Sequence, residues 1–200
     1  MLKQFLDYLD SLDQSNYENL FDVVLYKTLL ATGCRIGEAL ALEWSDIDLE
    51  SGVISINKTL NRYQEINSPK SNAGYRDIPI DKATLLLLKQ YKNRQQIQSW
   101  KLGRTETVVF SVFTEKYAYA CNLRKRLNKH FEIAGVTNVS FHGFRHTHTT
   151  MMLYAQTSPK DVQYRLGHSN LLVTENVYWH TNQENAKKAV SNYETAINNL

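Results

Sequence analysis

Apolar positions fall on helical spacing along most of the chain. Leu2, Phe5, Leu6, Leu9 and Leu12 form one stripe and predict an amphipathic helix over residues 2–12. A second helix is expected over 17–32, with Gly33 placed to end it in left-handed backbone. A short helix over 36–42 follows, ending near Trp44, and residues 46–48 read as a turn. The period then shortens. Residues 53–57 and 76–80 are partly alternating runs, separated by a polar stretch with Asn61, Asn67, Pro69, Asn72 and Gly74. That pattern suits a small antiparallel hairpin or three-stranded sheet. Pro79 has no N–H to give to a ladder, so its strand is expected at an edge.

Asp81 is positioned to cap a long helix running to about Gln98. Residues 108–110 suit a short strand, and helix returns over 118–134, closed by Gly135. Three more helices are expected near 142–155, 159–166 and 171–179. A last amphipathic one over 183–198 carries Ala186, Ala189, Val190, Tyr193 and Ile197. The fold class is therefore mostly α, with a small antiparallel β-sheet or hairpin near the N-terminal third. No repeat or linker divides the 200 residues, which read as one domain.

Composition narrows the class. With 42% hydrophobic and 22% charged residues, the chain is neither disordered nor fibrous. No apolar run approaches the length of a membrane span. The N-terminus, MLKQFLDYLD, carries acids where a secretory signal would carry bases, so a reduced cytoplasmic setting is expected. Two cysteines, Cys34 and Cys121, are too few for a disulfide framework or a four-cysteine zinc site, and both are expected as small buried residues. The net charge of +3 hides an uneven split. Residues 1–60 carry a net −6, residues 61–130 a net +9, and residues 131–200 none. The basic middle predicts a surface for a polyanion, centred on Arg124, Lys125, Arg126, Lys129 and His130.

Four stretches carry candidate chemistry. Arg35 follows Gly33-Cys34 where a new helix begins, a junction rich in free backbone N–H groups that suits an anion. Lys70 lies in Ser68-Pro69-Lys70-Ser71, expected at a hairpin tip. His142 and Arg145 are three apart on one helix face, pairing a group that exchanges protons near neutral pH with one that grips two oxygens. Leu166-Gly167-His168 is followed ten residues later by Tyr178. His142 and His146 also have the spacing of a zinc pair, but Gly143 stands where a metalloprotease helix carries its glutamate, and no nearby carboxylate supplies a third ligand. His146 and His148 are read instead as capping, packing or hydrogen-bonding residues.

Arg35, Lys70, His142-x-x-Arg145, Gly167-His168 and Tyr178, in that order, resemble the tyrosine recombinase family of the phage-integrase type. The matching segments are TGCRIGEALALEWSDID, the Lys70 stretch, FHGFRHTHTT, YRLGHSN and VTENVYWH, from Tyr17 to Tyr193. The resemblance implies a catalytic-domain fold and a DNA-cutting and rejoining activity that uses neither metal nor nucleotide cofactor. It implies Tyr178 as nucleophile forming a 3′-phosphotyrosine, with Arg35 and Arg145 neutralising the scissile phosphate. His168 would donate to a non-bridging oxygen, His142 would accept the tyrosine proton, and Lys70 would protonate the departing 5′ oxygen. It implies double-stranded attachment or core sites as partner, contacted by Arg76, Arg124, Lys125, Arg126 and Lys129. It further implies a homo-tetramer on DNA (a monomer when free), a directionality factor and a nucleoid-associated place in a bacterial host. Integration or excision of a phage or other mobile element is the leading reading. Alternatives are a chromosome-dimer resolvase of the same family, a non-catalytic DNA-binding relative and, least favoured, a metal-dependent hydrolase. Members usually carry core-binding and arm-binding domains before this one. Neither is seen ahead of residue 2, so the chain is expected to be a catalytic fragment that binds DNA weakly.

Overall fold

A computed structural model describes residues 1–167. The helices expected over 171–179 and 183–198, with His168 and Tyr178, lie outside the described residues.

The core is organised around α2 (Tyr17–Thr32), opened by the Asn16 side chain, which accepts from the backbone N–H of Glu18 and Asn19. This helix buries Leu20, Phe21, Val23, Val24, Leu25, Tyr26 and Leu29, so it is apolar nearly all round and sits in the middle of the molecule. It packs against α4 (Lys82–Lys101) on one side and α6 (Phe141–Tyr154) on another. The N-terminal α1 (Leu2–Ser11) docks on α5 (Ala120–Ala134), with the Phe5 and Phe131 rings stacked 4.4 Å apart. Gly33 ends α2 at φ 65°, as expected, and α3 (Ile36–Ala41) starts three residues on.

A three-stranded antiparallel sheet lies beside this bundle in the order β1 (Ile47–Asp48), β2 (Val53–Ile56), β5 (Arg76–Pro79). Ile54 pairs with Ile47 on one side and Ile78 on the other, so the three share a buried face. Pro79 is on the edge strand, as its missing donor requires. Residues 47–48, expected as a turn, instead pair with β2. The polar stretch forms its own two-stranded ladder, β3 (Thr59–Leu60) with β4 (Ile66–Asn67). Residues 108–110 do not form the expected strand. Val108 makes a lone bridge to Glu43, and its neighbours hydrogen-bond to Trp44 and Leu42.

Asp81 caps α4 by accepting from Thr84 N–H at 2.9 Å, and the helix runs three residues past its expected end. Ser140 caps α6, and Ser158 with Pro159 opens α7 (Pro159–Leu166). Cys34 is buried as expected, but Cys121 is exposed in the first turn of α5, where the helix turns its side toward solvent. Among the described residues no helix is long and apolar enough to cross a membrane.

Candidate active site

Arg35 stands at the N-terminus of α3 with its side chain half exposed. Glu38, one turn on, accepts from its backbone N–H at 2.8 Å and from its Nη1 at 2.9 Å. The fork therefore leaves the helix start in a fixed direction with donors still free. Arg145, on α6, is buried; its Nη1 donates to Gly33 O at 2.9 Å and its Nη2 to Leu166 O at 2.7 Å. Both carbonyls belong to helix ends that lack internal donors, so the guanidinium caps α2 and α7 together. Burial, and then the charge of Arg35, lower its pKa to about 10, which leaves it cationic at neutral pH. His142, a turn before Arg145, is exposed. Its pKa is lowered by partial burial and then by Arg145, Arg35 and His146, so the neutral imidazole prevails near pH 7 and can accept a proton.

Arg76, expected on a DNA-facing surface, is instead fully buried beside this cluster. Its Nη2 donates to Glu38 Oε2 at 2.8 Å, its Nε to Arg165 O at 2.8 Å, and its Nη1 to Gly74 O. The expectation failed because a lone arginine in a strand reads the same whether its partner is a phosphate or a buried carboxylate. Glu38, from the acidic first third of the chain, was not among the expected site residues. Burial opposes its ionisation, but hydrogen bonds and charge from Arg76, with help from Arg35, hold its pKa below the ordinary carboxylate range. Glu38 contacts Arg35 and Arg76 and acts on Arg145 through space, so the cluster carries net positive charge, and only Arg35 among the three arginines is half exposed.

Lys70 is exposed, not on the tip of the β3–β4 ladder but in the segment leading from β4 to a 3-10 turn at Asn72–Gly74. That corner meets the end of α7 at Gly167, whose φ is 67°. A Cβ there would sit 2.7 Å from Ala73 O and 2.9 Å from Arg76 Nη1, so the close approach requires glycine. Three segments that carry predicted residues, the Gly33–Glu38 junction, the 70–76 corner and α6, thus converge with the end of α7.

His148 packs under the junction, as its reading as a hydrogen-bonding residue anticipated. Nδ1 faces Leu30 O at 2.7 Å and Nε2 faces Arg165 Nε at 3.1 Å. A carbonyl only accepts and a guanidinium only donates, so the imidazole is neutral with its proton on Nδ1. Burial, then Arg165, push its pKa down to about 4. The unfolded chain takes up a proton near pH 6.5 that the folded chain refuses until about pH 4. Stability is therefore full above 6.5 and falls as pH drops through that window. Urea unfolding at pH 7 and pH 5 is expected to show a loss of about 2 kcal/mol from this group, absent in His148→Gln.

The basic face of α5 divides in two. Lys125 and Lys129 are exposed. Arg124 donates to Val139 O at 3.0 Å, and Arg126 is paired with buried Asp22 at 2.8 Å and with Glu18 O. His130 also contacts Asp22, at 3.0 Å. The two arginines hold the fold together, and the two lysines keep their cations in solvent. Among the described residues no group of three His, Cys, Asp or Glu side chains is placed to share a metal ion.

Two held guanidinia with a neutral imidazole near them are an arrangement able to hold an anion and accept a proton. The profile of the phage integrase family matches residues 2–185, and the chain belongs to that family. A tyrosine recombinase XerC-like protein of Caldanaerobacter subterraneus is 30% identical over 184 residues, covering 83% of this chain and 47% of its own length. The ICEBs1 integrase of Bacillus subtilis is 29% identical, covering 80% of this chain and 46% of its own. The chain thus spans about half the length of the curated relatives it matches. Among solved structures, the Tn1549 transposon integrase in complex with transposon right-end DNA superimposes with a TM-score of 0.72 at 27% identity, covering 95% of this chain and 63% of its own. XerA recombinase shares the fold, with a TM-score of 0.70 at 19% identity and coverage of 96% of this chain and 60% of its own. The fold is that of the tyrosine recombinase catalytic domain.

Proposed function

We propose that this chain is the catalytic part of a site-specific DNA recombinase that cuts and rejoins strands through a 3′-phosphotyrosine, integrating or excising a mobile element. The observation that carries the reading is Arg145, locked by two backbone carbonyls beside Arg35 and a neutral His142. Family membership and the names of the relatives, the ICEBs1 integrase and the transposase of transposon Tn916 among them, point the same way.

In this reading the Tyr178 hydroxyl attacks the scissile phosphorus. A tyrosine has a pKa of about 10 and is a weak nucleophile at neutral pH, so His142 takes its proton as the P–O bond forms. The transition state carries extra negative charge on the non-bridging oxygens. Arg35 and Arg145 neutralise it, each offering two donors in one plane, and His168 adds a hydrogen bond. The bond to the 5′ oxygen breaks, and Lys70 protonates that oxygen. Rejoining reverses the steps with a 5′-hydroxyl as attacker, so the bond energy stays in the phosphotyrosine and no ATP is consumed. Lys125 and Lys129 would hold backbone phosphates without reading sequence. Two DNA sites in one reaction call for a tetramer, with a directionality factor choosing between integration and excision inside a bacterial cell.

The test uses nicked duplexes, in which loss of a short 5′ fragment traps the covalent intermediate. A random-sequence pool of such duplexes is incubated with the chain, and DNA that stays attached to protein in detergent is recovered. The parent chain is expected to yield an adduct, and Tyr178→Phe none. An adduct of equal yield in that variant places the nucleophile elsewhere.

A further inference from the structure

Arg165 is the one arginine near the site that neither the predicted catalytic set nor the predicted DNA face includes. Its Nε donates to His148 Nε2 at 3.1 Å, its Nη1 to Pro79 O at 2.9 Å and its Nη2 to Ala31 O at 2.8 Å. Those acceptors lie on three different elements. Ala31 is at the end of α2, four residues before Arg35. Pro79 ends β5, on the stretch that follows Lys70 and Arg76. His148 is on α6, one turn after Arg145. Arg165 itself is in the last turn of α7, three residues before His168, and its own carbonyl is held by Arg76.

All three acceptors are neutral, and among the described residues no carboxylate is in ion-pair contact with Arg165. Asp81 acts on Arg165 through space without touching it, and a half-buried cation with no carboxylate in contact is a poor choice for stability alone, because an apolar residue would avoid the desolvation penalty. The planar fork explains the choice. Its three edges reach three fixed acceptors at once, which an ammonium or an amide cannot do.

We propose that Arg165 is a positioning residue for strand cleavage. By joining α7 to the ends of α2 and β5 and to α6, it sets the register between the segment leading to His168 and the Arg35–Arg145 pair. This inference rests on the cleavage reading above. Misplacing reacting groups by about 1 Å can cost on the order of 10²-fold in rate. Losing the fork is therefore expected to slow adduct formation while leaving DNA contacts intact.

The experiment is single-turnover adduct formation over a range of DNA concentrations, using a duplex recovered by covalent capture with the parent chain. Arg165→Lys keeps the charge and loses the fork. Its maximal rate is expected to fall by roughly 10- to 100-fold, with half-saturating DNA concentration changed less than about twofold. His148→Gln offers an amide oxygen where Nε2 accepted and is expected to stay near the parent rate, whereas His148→Leu is expected to fall toward Arg165→Lys. Thermal midpoints are measured for all three, since a merely structural role would lower midpoint and rate in step across both His148 variants. That parallel loss, or a parent-like rate in Arg165→Lys, overturns the inference while the cleavage reading stands. Failure of the parent chain itself to trap any duplex overturns the cleavage reading and this inference with it.

Discussion

Arg145→Lys is expected to reduce the rate of covalent adduct formation by about 10³-fold, the scale on which fixed cationic donors act in phosphoryl transfer. Lysine keeps the positive charge, so the effect isolates geometry. The guanidinium spends one donor on Gly33 O and another on Leu166 O, and its remaining N–H groups are aimed by those two anchors. An ammonium carries its three donors on one nitrogen, so it cannot reproduce two anchors made from separate nitrogens with further N–H groups aimed in the same plane. Retention of duplex DNA in a mobility-shift assay is expected to change little, because Lys125 and Lys129 remain exposed on α5. Equal losses of cleavage and retention would make Arg145 an anchor for DNA and nothing more. A collapsed thermal midpoint would assign the loss to folding.

Glu38→Ala is expected to cost about 3–5 kcal/mol of folding stability, the penalty for leaving a buried cation without its partner. Arg76 is fully buried, and Glu38 supplies the carboxylate that faces it. The two Arg76 carbonyl contacts, to Gly74 and Arg165, cannot neutralise its charge. For a chain of this size the thermal midpoint is expected to drop by roughly 10 °C. The double variant Glu38→Ala with Arg76→Met removes both charges and is expected to recover most of the loss. No recovery in urea unfolding would show that Glu38 acts through Arg35 instead. The sign of the pH dependence follows from the lowered pKa of Glu38. Its contribution is present above the ordinary carboxylate range and is lost as pH falls through the folded-state value.

What could be read in the sequence was whatever has a local cause. Gly33 and Gly135 ended their helices because left-handed backbone favours glycine, and Asp81 announced α4 through its cap. Pro79 marked an edge strand because it lacks a donor. The strand at Ile47–Asp48 escaped notice because two residues carry no period, and its pairing with β2 is a tertiary fact. Arg35, His142 and Arg145 were singled out by residue type and order, and the structure brings them near one another. Arg76, Arg124 and Arg126 have partners within the chain that the sequence does not announce. A cation shows its charge in the sequence but not its partner, and these three face Glu38, Val139 O and Asp22 within the same chain. Glu38 was overlooked because a carboxylate in an anion site looks like a liability until the buried arginine behind it is seen.

The contacts that aim Arg145 and hold Arg76 and Arg165 close very long loops. They join residue 145 to 33, 76 to 165 and 165 to 31, separations of 112, 89 and 134 residues. Contacts this distant along the chain come late in folding, because the entropy of closing such loops must be met first. A chain still emerging from the ribosome has α2, Arg35 and Glu38 well before it has α7. Until Leu166 is made and docked, Arg145 lacks one of its two anchors and Arg76 lacks the carbonyl of Arg165. On the proposed function, competence to break DNA would therefore be acquired in one late step, and a chain cut short before Leu166 would lack it.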